Sequence, residues 1–276
     1  GLYVVGTPIG NLEDITLRAL RILKEVDLIA CEDTRHTQKL LNHFSIAKRT
    51  VSYHEHNEAG RAAQLVEDLG AGARIALVTD AGMPGISDPG YRLVNAAIQR
   101  GIPVVPVPGA AAFMLALVAS GLPTDVFRFS GFVPPREGAR KRAFADIRQS
   151  EQTEVFYEAP HRLAETLQSV VEELGAERVV VVARELTKLH EEVIRGTAAE
   201  VLSRLQTTEV KGEITLLIGR AEDGIMPDSV PVSVSERVRQ LLDEENMSEK
   251  EALKKIAKER GISKSEVYRE LQRGRG

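Results

Sequence analysis

The sequence predicts an α/β protein with two α/β domains and a small helical appendage at the C-terminus. In residues 1–122, short apolar segments alternate with amphipathic helical patterns, which is typical of a mostly parallel sheet covered on both faces. In residues 123–222, the last three strand patterns have little helix between them, which predicts a mixed or partly antiparallel sheet. Residues 232–276 carry amphipathic helical patterns rich in Lys and Arg, and form the predicted appendage.

The composition excludes several classes of protein. The chain has 276 residues, of which 43% are hydrophobic and 28% charged, so it is neither a disordered chain, a collagen nor a disulfide scaffold. Cys31 is its one cysteine, which rules out an internal disulfide and favours a reducing, cytoplasmic location. The histidines lack the spacing of metal ligands, so we expect no metal site. The net charge is −4, so any nucleic-acid site must be a local patch.

The uncharged stretch 101–124 is long enough to span a membrane. Pro103, Pro106 and Pro108 interrupt its first half, and the remainder fits a buried core helix. We therefore expect no membrane association.

The first domain, residues 1–122, is predicted to alternate strand and helix. The strands are Leu2–Val5, Asp27–Cys31, Arg74–Thr79 and Pro103–Val107. The helices are Thr16–Lys24, with Asp14 and Thr16 as candidate caps, then Glu58–Leu69, Tyr91–Gln99 and Ala110–Ser120.

The second domain, residues 123–222, begins after the breaker cluster at 121–125. Its predicted strands are Val126–Phe132, Glu154–Tyr157, Arg178–Ala183, Glu192–Arg195 and Glu213–Gly219, with one helix at His161–Leu174. Residues 221–231 read as a linker.

The third segment, residues 232–276, has a helix-turn-helix pattern. Ser248 is a predicted cap, Glu251 completes a capping box, and Gly261 marks the turn. Residues 248–276 hold nine Lys or Arg against five Asp or Glu, so this segment is positive in a negative chain. Two interpretations stay open: a nucleic-acid contact, or a small bundle with a solvated charged face.

Two glycine-containing loops follow predicted strands of the first domain. Such loops are where ligands bind parallel α/β sheets. The loop at 5–11 is not a dinucleotide fingerprint and could be only a tight turn. The loop at 79–90 has three glycines and two prolines, which leave main-chain groups outside any ladder and favour a ligand site. Asp80 and Asp88 in this loop could bind an amine or ribose hydroxyls.

Two further clusters carry charge. Residues 31–37 place Glu32, Asp33, Arg35 and His36 after a strand; the alternative is that Asp33 or Thr34 simply caps a helix. Residues 136–142 place four basic side chains after Pro134 and Pro135, in a predicted loop that could hold phosphate, or on a solvated helix face.

The set of motifs resembles the tetrapyrrole methylase superfamily over nearly the whole chain. Within it, the chain is most similar to the bacterial branch that methylates a cytidine 2′-hydroxyl in small-subunit (16S) ribosomal RNA. The motifs, in order, are Thr7-Pro-Ile-Gly-Asn11, Glu32-Asp-Thr-Arg-His36, Asp80-Ala-Gly-Met-Pro84 with Ser87-Asp-Pro-Gly90, Pro106-Val-Pro-Gly109, Phe156-Tyr-Glu158 with His161-Arg162, and Ala183-Arg-Glu-Leu-Thr-Lys188.

The resemblance implies a class III methyltransferase fold that binds S-adenosylmethionine in a cleft between the two domains and forms a homodimer. Many relatives have Asp in place of Met83 and Pro in place of Ile9, so a carboxylate contact at Met83 is absent here and Asp80 takes part of that role. The implied cofactor contacts are Pro8, Ile9, Asp80, Ala81, Gly82, Met83, Ile86, Ala111, Ala112, Glu158 and Leu186.

The implied acceptor, a ribose 2′-hydroxyl, is a poor nucleophile until its proton leaves, so a nearby base or cation should help. The candidate catalytic residues are Asp33, Arg35, Glu158 and His161. The candidate contacts to the RNA of the small ribosomal subunit are Arg136, Arg140, Lys141, Arg142, Arg162, Lys188, Lys254, Lys255 and Lys264.

Three alternatives remain at this point. A methyltransferase of the same superfamily could act on a tetrapyrrole or on the modified histidine of elongation factor two, although a tetrapyrrole substrate does not explain the basic tail. A regulator without catalysis could use the helix-turn-helix to bind DNA. A nicotinamide oxidoreductase is disfavoured because the glycine fingerprint is missing.

Overall fold

The computed structural model describes residues 1–206, 210–221 and 248–260, together with 238, 241, 242, 267–269 and 271. The chain divides into two compact units, Gly1–Met226 and Pro227–Gly276. The first unit contains two five-stranded sheets, one from each half of its length. The α/β class predicted from the sequence is therefore confirmed, whereas the exact domain boundaries stay a prediction.

The first sheet is entirely parallel, with strand order β3-β2-β4-β1-β5. The strand β3 was not predicted, because it has only three half-buried residues and therefore a weak apolar pattern. The strands are β1 (Leu2–Val5), β2 (Leu28–Cys31), β3 (Thr50–Ser52), β4 (Ile75–Leu77) and β5 (Val104–Val107).

Helices cover both faces of this sheet, as a parallel sheet requires. One face packs Ala19, Ile22 and Leu23 of the first helix, and the other packs Leu65 and Leu93. The helices are α1 (Leu17–Glu25), α2 (Thr34–His43), α3 (Glu58–Gly70), α4 (Tyr91–Gln99) and α5 (Ala112–Ser120).

The second sheet is mixed, as predicted, with strand order β6-β7-β10-β8-β9. Strands β6 and β7 are parallel, and the other neighbours are antiparallel. The strands are β6 (Phe127–Phe132), β7 (Thr153–Glu158), β8 (Val179–Arg184), β9 (Glu192–Thr197) and β10 (Ile214–Ile218).

Three helices accompany the second sheet, and two of them correct the sequence prediction. Residues predicted as a basic loop begin α6 (Glu137–Asp146), because Pro134 and Pro135 end just before the helix rather than within it. The segment between the last two strands, expected to hold little helix, contains α8 (Ala198–Gln206), whose Val201 and Leu202 are buried. The remaining helix is α7 (Leu163–Leu174).

Helix α5 connects the two sheets. It follows β5 in sequence, but its Ala116 and Leu117 belong to a core shared with Val155, Val181 and Leu217 of the second sheet. Arg195 of β9 donates to the carbonyls of Ala119 and Ser120 at the C-terminal end of α5, which satisfies acceptors that the helix leaves open. The second sheet therefore holds the helix that starts beside the predicted ligand loops.

The C-terminal unit contains α9 (Glu249–Arg260). One half of the predicted capping box is present, since the Ser248 N–H donates to Oε2 of Glu251 at 3.0 Å. The Ser248 hydroxyl donates to the same carboxylate oxygen at 2.6 Å, and the Glu251 N–H donates to the Ser248 carbonyl. Gly261 and Lys264 lie outside the described residues, so the helix-turn-helix stays a prediction. The buried apolar residues of this unit are Val238, Leu241, Ala252, Leu253, Ile256, Val267 and Leu271. In the ranges that the structure describes, no helix is both long and apolar enough to cross a membrane.

Candidate active site

A cavity of about 370 Å³ lies between the two sheets and takes its walls from both. Its volume is in the range of small-molecule sites in proteins, and it lies beside the carboxyl ends of parallel strands, where α/β proteins bind ligands. Pro8 and Asp80 are the two predicted cofactor contacts that do not line it. The predicted contacts that do are Ile9, Ala81, Gly82, Met83, Ile86, Ala111, Ala112, Glu158 and Leu186.

The two predicted ligand loops are joined through their main chains. The Thr7 N–H donates to the Gly82 carbonyl at 2.9 Å, and the Gly82 N–H returns a bond to the Thr7 carbonyl at 3.2 Å. The Thr7 hydroxyl also donates to the Thr79 carbonyl at 3.2 Å. The expectation that the 79–90 loop leaves its main-chain groups free is therefore wrong at Gly82, whose N–H and C=O are both used to fix the loop.

Glycines bring the first loop against the chain that enters α5. A Cβ at Gly6 would lie 2.6 Å from the Cα of Gly109 and 2.6 Å from the Sδ of Met83. A Cβ at Gly109 would likewise lie 2.6 Å from the Cα of Gly6. Real Cβ atoms do not come so close, so Gly6 and Gly109 must both be glycine. This contact places Met83 and the start of α5 around one space.

Helix α5 begins in the wall of the cavity. Its cap residue, Ala111, offers no side-chain acceptor to the helix, and Ala111, Ala112 and Phe113 all line the cavity. The first N–H groups of a helix have no partner within the helix. The Phe113 N–H already hydrogen-bonds the Tyr157 hydroxyl, and the cavity lies at the weakly positive N-terminal end of α5.

Sequence analysis did not identify every residue of the cavity. Ser87 and Asp88 belong to a loop that the motif already singled out, and Phe113 and Ala159 each follow a predicted contact. Residues 212–215 belong to no motif that predicts a ligand site. They reach the cavity wall because β10 pairs antiparallel with β7 and β8. Asp88, which was named as a possible ligand contact, lines the cavity. The lining residues that were not predicted are Ser87, Phe113, Phe132, Tyr157, Ala159, Pro160, Ala183, Gly212, Glu213, Ile214 and Thr215.

The ionisable side chains of the cavity wall are all acidic. They are Asp88, Tyr157, Glu158 and Glu213, and no Lys, Arg or His is found among the described residues of the wall. A cavity with this lining favours a cationic ligand and disfavours a phosphate.

Two of these carboxylates are paired with cations at the edge of the cavity. Glu158 is buried, with Oε1 2.6 Å from Nη2 of Arg162, and Oε2 accepts from the Thr166 hydroxyl at 2.5 Å. Glu213 lies 3.3 Å from Nζ of Lys188. Arg162 and Lys188, both predicted to contact RNA, are thus engaged with acidic residues of the wall.

Asp88 differs from these two carboxylates. Burial is the main cause that raises the pKa of Asp88, to about 6, and the charges of Glu32 and Asp80 add to it. A hydrogen bond from Thr79 partly opposes this rise. Burial also raises the pKa of Tyr157, the phenol that lines the same cavity.

A sequence model of the family described as Tetrapyrrole (Corrin/Porphyrin) Methylases matches residues 1–202. The chain belongs to this family. The resemblance stated from the motifs is thereby confirmed.

Two curated relatives of this tetrapyrrole methylase match nearly its whole length. The Ribosomal RNA small subunit methyltransferase I of Halalkalibacterium halodurans is 48% identical over 273 residues, which cover 97% of this chain and 93% of the relative. The protein of the same name from Synechocystis sp. is 44% identical over 267 residues, 97% of this chain and 95% of the relative.

Solved structures of more distant proteins share the fold of this methylase. Uroporphyrin-III-C-methyltransferase from Thermus thermophilus aligns with a TM-score of 0.57 at 22% identity, over 80% of this chain and 94% of the other. Diphthine synthase aligns with a TM-score of 0.61 at 16% identity, over 79% of this chain and 89% of the other. At these identities the likeness concerns the fold alone.

The remaining catalytic candidates of the methylase lie outside the cavity wall. Asp33 caps α2, as the alternative interpretation expected, and a 2.7 Å ion pair with the exposed Arg35 holds its pKa well below the usual range. Oδ1 of Asp80 accepts a hydrogen bond from the Asp33 N–H at 3.1 Å. Asp80 thus supports the loop at Asp33 and does not line the cavity. His161 is exposed and follows Pro160, which lines the cavity.

The basic cluster of α6 is divided by the helix. Arg136 and Arg142 are exposed, whereas Arg140 is only 4% exposed and donates to the Ser169 hydroxyl at 3.0 Å. Lys141 lies 2.9 Å from both Glu137 and Glu172. The RNA contact predicted for Arg140 is not compatible with this burial, because its guanidinium serves the packing of α6 on α7.

The C-terminal unit holds three of the lysines that are predicted to contact RNA. Lys254 is exposed and Lys255 half-buried on α9, and Lys264 lies outside the described residues. Among the residues that the structure describes, no group of three or more His, Cys, Asp or Glu side chains is placed to hold a metal ion.

Proposed function

We propose that this chain methylates the ribose 2′-hydroxyl of a cytidine in small-subunit (16S) ribosomal RNA, with S-adenosylmethionine as donor. The observation that carries the proposal is the 48% identity to a small-subunit ribosomal RNA methyltransferase over 97% of the chain. A relative this similar over this length usually has the same reaction, and the acidic cavity supplies a separate physical argument for the donor.

The cavity has the chemistry that the donor needs. S-adenosylmethionine supplies, when bound, a methyl group activated by a positively charged sulfur. The carboxylates of the wall complement that charge, and the weakly positive N-terminal end of α5 complements the donor's carboxylate. The residues proposed to hold the donor are Ile9, Ala81, Gly82, Met83, Ile86, Ala111, Ala112, Glu158 and Leu186, with Pro8 and Asp80 supporting the loops.

The chain's own contribution to the reaction is chiefly positional. A donor held between the two sheets and an acceptor held at the mouth of the cavity would meet in line, and such positioning accounts for much of the rate of a transfer reaction. Arg35 is paired with Asp33, which lowers the pKa of Asp33, and Arg162 is paired with the buried Glu158. We propose that His161, exposed beside the lining residue Pro160, takes the proton of the acceptor hydroxyl, and that Arg35 contacts a flanking phosphate.

Ribosomal RNA would bind outside the cavity, because the acidic wall repels phosphate. The exposed side chains of Arg136, Arg142 and Lys254 are the described candidates for these contacts. Lys141 and Lys255 are next to them in sequence, and Lys264 follows in the same C-terminal segment. Phosphate contacts of this type give affinity that falls with salt. The assembled small subunit in the cytoplasm is the proposed substrate.

A homodimer is proposed from an exposed apolar surface. Met114 and Val118, one turn apart on α5, are 50% and 69% exposed, and Val126 and Phe127 at the edge strand β6 are 52% and 38% exposed. We propose that these exposed apolar side chains together form one protein interface. A self-complementary contact through it gives a symmetric dimer.

A labelling experiment with several acceptors tests the proposed reaction. The protein is incubated with methyl-labelled S-adenosylmethionine and, in parallel, with assembled small subunits, free 16S RNA, a tetrapyrrole precursor and elongation factor two. Label in the small-subunit RNA supports the proposal, and label confined to the tetrapyrrole or the protein would overturn it.

A further inference from the structure

Asp88 occupies a fixed position in the cavity wall. The residue before it, Ser87, adopts a left-handed φ of 58°, and the N–H of Gly90, two residues later, donates to Oε1 of Glu58 at 3.2 Å. The same carboxylate oxygen accepts from the Tyr53 hydroxyl at 2.9 Å. The hydrogen bond from Gly90 ties the loop to Glu58 on the C-terminal side of Asp88, and Asp88 lines the cavity.

The groups around Asp88 come from several elements. Thr79 and Asp80 follow β4, Glu32 follows β2, and Tyr157 of β7 lines the cavity with it. On the outer side, Glu55, Glu58 and Arg92 line a shallow groove with Asp88. Arg92 is directed to Glu58, with Nε 3.4 Å from Oε2.

No cation offsets the charge of Asp88 in the part of the chain that the structure describes. Its neighbours Glu32 and Asp80 are carboxylates, and the single proton of the Thr79 hydroxyl is also directed at Oε2 of Glu32, 3.0 Å away. Glu158 and Glu213, by contrast, already have Arg162 and Lys188. Asp88 is thus the carboxylate of the wall whose charge a ligand would have to balance.

We propose that Asp88 is the counter-charge for a cationic centre of the methyl donor, and that the donor binds together with the release of a proton from Asp88. The proposal rests on the proposed function only in requiring that S-adenosylmethionine enters this cavity. It assigns to Asp88 a role in donor affinity and in the pH dependence of binding.

The direction of the pH dependence follows from the surroundings. Burial and the neighbouring carboxylates disfavour the ionised form of Asp88, which raises the pKa to about 6 in the free protein. A bound cation favours the ionised form and lowers this pKa. Donor affinity should therefore be full well above pH 6, and should fall as the pH drops through 6, by up to about tenfold per pH unit.

The donor has two cationic centres, an ammonium and the sulfonium. S-adenosylhomocysteine, the product that remains after methyl transfer, keeps the ammonium but has a neutral sulfur. If Asp88 balances the ammonium, binding of either ligand releases the proton from Asp88. If it balances the sulfonium, only binding of the donor does so. In that case the sulfur loses its positive charge on methyl transfer, and this loss favours release of the product.

Isothermal titration calorimetry tests the proposal without any turnover. Affinities for S-adenosylmethionine and S-adenosylhomocysteine are measured from pH 5 to pH 8, in buffers with different ionisation enthalpies, so that proton release is counted directly. The variants are Asp88→Asn and Asp88→Glu, with Asp146→Asn as a control that removes an exposed carboxylate from α6. Circular dichroism and thermal unfolding check that each variant is folded.

We expect proton release on donor binding near pH 6 in the wild type and in Asp146→Asn. Asp88→Asn should bind the donor roughly tenfold or more weakly at pH 8 and lose the pH dependence, and Asp88→Glu should restore part of both. The donor's own ionisations are common to all variants, so the difference isolates Asp88.

Two results overturn the proposal in distinguishable ways. Tight donor binding at pH 8 that does not weaken at pH 5, or an unchanged pH dependence in Asp88→Asn, contradicts the role of Asp88 and leaves the proposed function intact. No donor binding by the wild type at any pH contradicts the proposed function itself, and the role of Asp88 with it.

Discussion

Nη2 of Arg162 lies 2.6 Å from Oε1 of Glu158, whose side chain is only 1% exposed in the wall of the cavity. The Ala159 N–H donates to the same oxygen at 2.6 Å. A buried carboxylate with these partners is fixed in place, and its charge is balanced within the wall of the cavity.

Removing the arginine should therefore destabilise the protein. In Arg162→Met, Glu158 stays buried without its cation, and we expect the free energy of unfolding to fall by about 3–5 kcal/mol. Urea unfolding measures this change. The double variant Arg162→Met/Glu158→Gln removes the unpaired charge and should recover much of the loss; equal losses in the single and double variants would show that the pair is not coupled.

The close approach of Gly6 and Gly109 should be intolerant of a methyl group. Gly6→Ala places a Cβ 2.6 Å from both the Gly109 Cα and the Met83 Sδ, so the loops around the cavity must move apart. We expect a lower Tm and a donor affinity reduced at least about tenfold, because overpacking a tight site costs about 1–3 kcal/mol. Differential scanning fluorimetry and calorimetry measure the two effects.

Gly60→Ala is the matched control for this prediction. Gly60 lies within α3 with nothing within 4 Å of the added Cβ, so alanine should stabilise the protein by roughly 0.5–1 kcal/mol. A Gly6→Ala variant as stable and as competent in donor binding as Gly60→Ala would contradict the packing argument.

The hydroxyl of Tyr53 should support the loop that carries Asp88. It donates to Glu58 at 2.9 Å and accepts from the Leu93 N–H at 3.2 Å, at the start of α4. Burial is the main cause that raises the pKa of this phenol, so it stays protonated and keeps donating. Tyr53→Phe leaves the Leu93 N–H without its acceptor, whereas Glu58 keeps Gly90 and Arg92. We expect a loss of about 1–3 kcal/mol in unfolding free energy.

Tyr91→Phe offers the comparison for Tyr53. Tyr91 is 72% exposed, and its hydroxyl accepts only from the Asn95 side chain at 3.3 Å. Removing this hydroxyl should change the unfolding free energy by less than about 0.5 kcal/mol. Similar losses for the two tyrosines in chemical denaturation would remove the support for a special role of Tyr53.

Basic residues of the C-terminal unit should affect RNA binding and not donor binding. In the variant Lys254→Glu/Lys255→Glu/Lys264→Glu, we expect RNA affinity to fall and its salt dependence to become shallower, because fewer phosphates are neutralised. Filter binding at several salt concentrations measures this, with donor calorimetry as the internal control. Unchanged RNA affinity would exclude these lysines from the interface.

Much of the fold could be predicted from the sequence because its signals are local. Strand β1 was predicted with its observed bounds, and Thr16, Ser248 and Glu251 were identified as caps from their spacing alone. At 136–142 the helix alternative is correct and the loop is not, but neither alternative predicted that Arg140 is buried against Ser169. That contact depends on how α6 packs on α7, which is a tertiary property.

The cavity could be predicted only where motifs mark it. The glycine-containing loops identified Ile9, Met83 and Ile86, but residues 212–215 reach the wall through strand pairing. The choice between Asp80 and Asp88 was also beyond the sequence, since both lie in one loop and only the structure directs Asp80 to the Asp33 N–H.

The most direct test of the central claim is to identify the methylated nucleoside. Small subunits from cells that lack the modification are incubated with the protein and S-adenosylmethionine, and their RNA is digested to nucleosides for mass spectrometry. The account predicts 2′-O-methylcytidine, at one position, in amounts that follow protein concentration. A methyl group on a base, or on no nucleoside of the small-subunit RNA, would contradict it.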